Sequence, residues 1–131
     1  MIPRRPRDES GAATTEVVLL TPVLLFLVMI VIQFGLWYHA QHVAQAAADE
    51  GAHAAKIENG SANAGIGRAN AFLDQAASKL IADRSVSADR TPEVATVTVT
   101  GHVASVIPGF DLTVQATATD PVERFRQDEG P

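Results

Sequence analysis

One ionisable side chain in this sequence stands where a charge is costly. Glu16 follows the small residues "SGAATT" and opens the uncharged run "VVLLTPVLLFLVMIVIQFGLWY", residues 17–38. A carboxylate drawn into lipid costs on the order of a few kcal/mol unless it finds a partner. Glu16 therefore either lies outside the membrane, as an interfacial group favourable to the positive end of a helix macrodipole, or is needed inside it. The other chemistry-bearing residues do not assemble into a catalytic set. His39 and His42 are three apart and His53 lies further along, yet no carboxylate is placed to complete three ligands on that helix face. Ser, Asp and His occur without a nucleophile motif. The "GIG" at Gly65 follows a linker-like stretch, not a strand, and so does not read as a phosphate loop. The expectation is a protein that is not an enzyme and has no cofactor and no metal.

The run itself is the dominant element. As a helix, residues 17–38 extend about 33 Å at roughly 1.5 Å per residue, enough to cross a hydrocarbon core of about 30 Å. Wholly apolar helices inside soluble proteins are usually shorter, so a membrane span and a lipid-bilayer partner are expected. Arg4, Arg5 and Arg7 precede the run, and no Lys or Arg follows it before Lys56. Retention of positive charge in the cytoplasm then leaves the N-terminus inside and exports the rest. Trp37 and Tyr38 fall at the outer boundary, where amphipathic rings settle. Pro22 removes one backbone donor and frees the carbonyl of Val18, so a modest kink is expected there, with Thr21 adjacent to help satisfy it. A secretory signal cut after "AQA", residues 44–46, is the rival reading, although such apolar regions span only about 7–15 residues.

Composition sets the remaining bounds. The 131 residues are 47% hydrophobic, but before residue 60 the strong hydrophobes gather almost entirely in the apolar run. Cysteine is absent, which excludes disulfides and thiolate metal sites. The net charge of −5 and the lack of a basic face beyond the N-terminal arginines argue against nucleic acid as a partner.

Beyond the span, "AQHVAQAAADEGAHAAK" keeps helical spacing, with Ala40, Ala44, Ala48 and Ala52 in one row and Ala47, Gly51 and Ala55 in a second. Small residues in such rows allow close helix packing, and alanine is also the best helix former. "ENGSANAGIG" reads as a flexible break. "RANAFLDQAASKLIA" reads as an amphipathic helix of about four turns. "VATVTVTGHVASVI" alternates as a strand from Val94 to Thr100, Pro108-Gly109 marks a turn, and "FDLTVQATAT" alternates again with Leu112, Val114 and Ala116 on one face. The expected fold class is α+β and membrane-anchored: a long N-terminal helix with an Ala-rich extension, then a small exported domain of one helix and two or three antiparallel strands. The corresponding divisions are a leader at 1–11, the membrane helix at 12–38, its extension at 39–58, a linker at 59–67, the small domain at 68–120 and a flexible tail at 121–131. With no disulfide, so small a domain should dock on the long helix or on a partner.

The joint pattern of a short basic leader, Gly11, small residues, Glu16 and an uninterrupted apolar helix looks like a type IV pilin-like export signal. More closely, "ESGAATTEVVLLTPVLLFLVMIVIQFG" followed by "AQAAADEGAHAA" resembles the TadE-like pseudopilins of tight-adherence (Flp) pilus systems, over residues 8–57. That resemblance implies cleavage by a prepilin peptidase after Gly11, leaving Ala12 as the new N-terminus. A glycine there suits the cut, since without Cβ the backbone can extend into a protease cleft. It also implies that Glu16 of one subunit pairs with the α-amine of a neighbour during assembly. The implied partners are the peptidase, other pilins or pseudopilins, and the inner-membrane assembly platform with its cytoplasmic ATPase. The implied location is the bacterial cytoplasmic membrane, single pass, and the cell-surface pilus; beside the secretory reading, the other alternative is a single-pass accessory membrane subunit outside any filament. Two departures stand out: Asp8 and Glu9 give the leader mixed charge, and Gln33 occupies the place before "FG" where many relatives carry an acid.

Overall fold

Long apolar side chains followed by alanine favour one uninterrupted helix, and that is what forms. The computed structural model describes residues 2–3 and 9–124; the expectations resting on Arg4, Arg5, Arg7 and Asp8, and on the last seven residues of the tail, lie outside them. Helix α1, Glu9–Lys56, has 48 residues, about 72 Å at roughly 1.5 Å per residue. It runs through Pro22 as one element. The Thr21 hydroxyl donates to the carbonyl of Val17 at 2.6 Å, one residue before the Val18 carbonyl that proline frees. The expected repair at Val18 is thus corrected to a back-bond one position earlier, which is where a Thr side chain reaches along its own helix.

The expected linker at 59–67 is mostly helix. Asn59 takes a positive φ of 65° in the turn that follows α1, and Ser61 caps α2, Ala62–Ala76, by accepting from the Ala64 N–H at 3.0 Å. The glycines of "SANAGIG" serve packing. A Cβ on Gly65 would stand 2.9 Å from the Gly51 carbonyl, and one on Gly51 would stand 2.8 Å from the Gly65 carbonyl. Distances below about 3 Å are closer than side-chain carbons pack, so α1 and α2 cross here because both positions lack a side chain. The second helix also stops sooner than its apolar spacing suggests, at Ala76, and Leu80-Ile81 lead into a strand.

Three strands form an antiparallel meander in the order β1 (Ile81–Arg90), β2 (Val94–Val103), β3 (Leu112–Pro121). Strand β1, "IADRSVSADR", was not expected; its polar residues alternate with half-buried Arg84, Val86, Ala88 and Arg90, as suits an edge strand. Asp83 has a positive φ of 48° and the β1–β2 register shifts between Ala82 and Ser85, placing a bulge beside Gly101, where an added Cβ would collide with Ile81. Strand β2 alternates buried Ala95, Val97, Val99, Gly101 and Val103 with outward Thr96, Thr98, Thr100 and His102, and continues past the expected end at Thr100. On the outer face Thr96 meets Thr119 and Thr98 meets Thr117, each pair at 3.1 Å.

The core lies between the sheet's inner face and the second half of α1, with α2 closing one side. Ala40, Ala44, Ala47, Ala48, Ala52, Leu73, Val97, Val99 and Val114 are its fully or almost fully buried members. Burying a side chain the size of Leu73 contributes about 1.5–3 kcal/mol. Small residues dominate on α1 because the sheet lies close against the helix. Three contacts fasten the far end: Arg90 donates to the carbonyls of Gly60 and Ile57, Lys56 pairs with Asp120 at 3.3 Å, and the Glu123 N–H donates to the Lys56 carbonyl. Of the expected tail, Pro121 ends β3 and residues 122–124 bond to Glu93, Lys56 and Pro92.

Candidate functional site

Two regions of α1 divide the work. From Gly11 to Val28 every residue is exposed. The helix as a whole contains an apolar segment of mean hydropathy 2.8 within Gly11–Lys56, of which 6% is buried, and it is the one candidate membrane span among the described residues. Gly11 sits inside the helix with open space around it, and Thr15 donates to its carbonyl at 2.9 Å. The Gly11–Ala12 peptide is therefore helical, so a protease that binds its substrate extended must first unwind this turn. Glu16 is exposed and, among the described residues, no cation stands within ion-pair reach of it.

The second region carries the domain. Ala40, Ala44, Ala48 and Ala52 are each fully buried, against the chain's own sheet and α2. The stripe expected to receive another helix is therefore already occupied within the subunit. Beside it runs a row that the sequence reading missed. Gln33, Trp37, Gln41 and Gln45 recur every four residues, and each offers a side-chain N–H. Trp37 Nε1 donates to the Thr113 carbonyl at 3.1 Å, Gln41 Nε2 to Gln115 at 2.8 Å and Gln45 Nε2 to Thr117 at 3.4 Å. Four helical residues rise about 6 Å and two strand residues about 6.8 Å, so the two periods nearly match. The helix side chains thereby cap alternate carbonyls along β3, the free edge of the sheet, where an unpaired strand otherwise invites another chain. The i, i+4 spacing of donors was the available signal; its acceptors lie more than seventy residues away.

Gln33 is the best-defined member of the row. It is 1% exposed and binds the β2–β3 connection. Its Nε2 donates to the Ala104 carbonyl at 3.3 Å and its Oε1 accepts from the Val106 N–H at 2.9 Å. The Ser105 hydroxyl lies 3.2 Å from the same oxygen and 2.7 Å from the Ile107 carbonyl, and its one proton serves either. Above this seat His102 Nδ1 meets Asp111 Oδ1 at 2.9 Å. The hydrogen bond to Asp111, then that carboxylate's charge and more distantly Asp83's, hold His102 above its ordinary 6.5 against a small opposing effect of burial.

The remaining histidines do not gather. His39, His42 and His53 are exposed, Tyr38 stacks edge-on against His42 with ring centres 4.4 Å apart, and no three metal-ligating side chains come together among the described residues. Residues 11–53, 43 of the 131, match the family model described as TadE-like protein. Neither a curated protein nor a solved structure matches the chain. The match covers α1 from Gly11 to His53, all of the first Ala row and all but Ala55 of the second, and leaves the small domain outside it.

Proposed function

We propose, from the TadE-like character of residues 11–53, that this chain is a non-enzymatic, pilin-like membrane subunit taking part in assembly of a tight-adherence type pilus. A prepilin peptidase cuts after Gly11, the helix remains in the membrane, and the domain on its second half is exported. The observation that carries this reading is the bare apolar rod at residues 11–28, headed by Gly11 and Glu16, with the domain strapped to the helix beyond it. After cleavage the α-amine of Ala12 is a cation at the lipid boundary. Glu16 of a neighbouring subunit neutralises it, offsetting part of the cost of both charges.

The secretory alternative fares worse on physical grounds. A cut near Ala46 would sever α1 in its packed half, removing Ala40, Ala44 and the donors Trp37, Gln41 and Gln45 from the domain they hold. The test of the assembly role is Glu16→Gln at equal membrane level. Insertion and cleavage persist, while recovery of partner pilins on co-purification falls. Removing one member of a desolvated pair costs about 3–5 kcal/mol at most, and even about 1.4 kcal/mol lowers association tenfold. Undiminished recovery would leave Glu16 an interfacial carboxylate and nothing more.

A further inference from the structure

The tip of the β2–β3 connection, "ASVIPGF" at residues 104–110, carries no charge before Asp111 closes the connection, and it lies alongside the part of α1 that the membrane reading places in lipid. Ile107 and Phe110 face Phe26, Ile30 and Phe34 across a crevice of about 190 Å³ with Gln33 at its floor. Val106 and Phe110 are themselves exposed, at 41% and 44%. We propose that this tip inserts among the acyl chains of the leaflet distal to the N-terminus, as a second apolar anchor that fixes the domain against the bilayer. The inference rests on the membrane-spanning reading of α1.

Depth supplies the first argument. With Trp37 at one boundary, a hydrocarbon core of about 30 Å takes about twenty helical residues and ends beside Glu16. Phe34 then lies about 4–5 Å below the boundary and Phe26 about 16 Å below it, near the midplane. The tip touches the helix between these levels. Raising the tip into water would require the bilayer to end near Val28. That would also expose Val31, Ile32 and Phe34, which lie bare at the tip's own level.

Hydrogen bonding supplies the second. Irregular backbone survives at hydrocarbon depth only where its polar groups are satisfied within the protein. Here four of the tip's six N–H groups are satisfied within the protein: Ala104 donates to Leu80, Val106 to Gln33, Ile107 to the Ser105 hydroxyl and Phe110 to Ile107. Pro108 has no N–H to satisfy. Gln33 in turn is a polar side chain inside the apolar run, and the tip gives it partners on both ends of its amide. Each resolves a cost that lipid would impose on the other. The ionisable pair His102–Asp111 closes the tip, with His102 opposite Thr113, whose carbonyl accepts from Trp37 at the boundary.

The absence of cysteine makes the test direct. Val106→Cys and Phe110→Cys are labelled with a nitroxide in the full chain, in vesicles of phosphatidylethanolamine with phosphatidylglycerol. Val23→Cys on the bare helix and Ser87→Cys on the outer strand serve as references. Collisions with dissolved oxygen at 106 and 110 should match those at 23. Collisions with a water-soluble nickel complex should be at least about tenfold rarer than at 87, because a polar solute is excluded from hydrocarbon. Nickel access equal to Ser87 at both tip positions, with Val23 shielded, overturns the anchor while leaving the membrane span intact. Access at Val23 as well overturns the span itself. Shielding from both reagents, with broadening that grows with protein concentration, assigns the tip to contact with a second protein chain and overturns the lipid assignment.

Discussion

Replacing Gln33 by leucine keeps the side chain's approximate volume and removes all of its polar contacts. Val106 N–H and Ala104 C=O then lose their partners in a place that the side chain had kept closed. Leaving a buried backbone group unpaired costs about 1–3 kcal/mol, so the two together cost about 2–6 kcal/mol. The penalty falls on the closed tip, which releases both groups by swinging away from the helix. Hydrogen exchange at the Val106 amide, measured in nanodiscs, reads that opening. At about 1.4 kcal/mol per tenfold, the lower bound corresponds to exchange about 30-fold faster than wild type. Core amides such as Val97 should change far less, since the opening is local. Exchange at Val106 within about threefold of wild type would refute the reasoning, because Gln33 would then not hold the tip.

Gly51→Leu should separate α1 from α2. Its Cβ alone would press on the Gly65 carbonyl and on Val97 and Ala69, and overpacking of this kind costs about 1–3 kcal/mol or more; the check is a lowered Tm with early loss of α2 protection, against Gly67→Leu, whose position is open. The His102–Asp111 pair predicts a pH dependence. His102 is raised in the folded chain, so its contribution is fully present below the unfolded value of about 6.5 and fades as pH rises through the folded midpoint. The Tm deficit of Asp111→Asn should therefore shrink on going from mildly acidic to alkaline buffer, and an NMR titration should show the His102 midpoint falling in that variant. A deficit independent of pH would mean that the pair is not the cause.

What the sequence made legible were features carried by local pattern. The apolar run, the alternation of Val and Thr in β2 and the Pro108-Gly109 turn each announce themselves within a few residues. Strand β1 was missed because an edge strand with one polar face and a bulge at Asp83 lacks the apolar alternation of a central one. The start of α2 was missed because Gly65 and Gly67 read as breakers, whereas Gly65 is required for the approach to Gly51. The donor row was visible as spacing, yet its meaning depends on β3 lying along α1, a juxtaposition that no local window contains. Gln33 reads in the sequence as a departure from an acidic position; in the fold it binds the β2–β3 connection to α1.

On the proposed function, the chain is cut after Gly11 and keeps its apolar helix. The most direct measurement is the intact mass and N-terminal sequence of the protein recovered from membranes of cells that also carry the pilus machinery. The mature chain should begin at Ala12 and retain residues 17–38. A membrane form that still carries residues 1–11, or a soluble one that begins near Ala47, would contradict it.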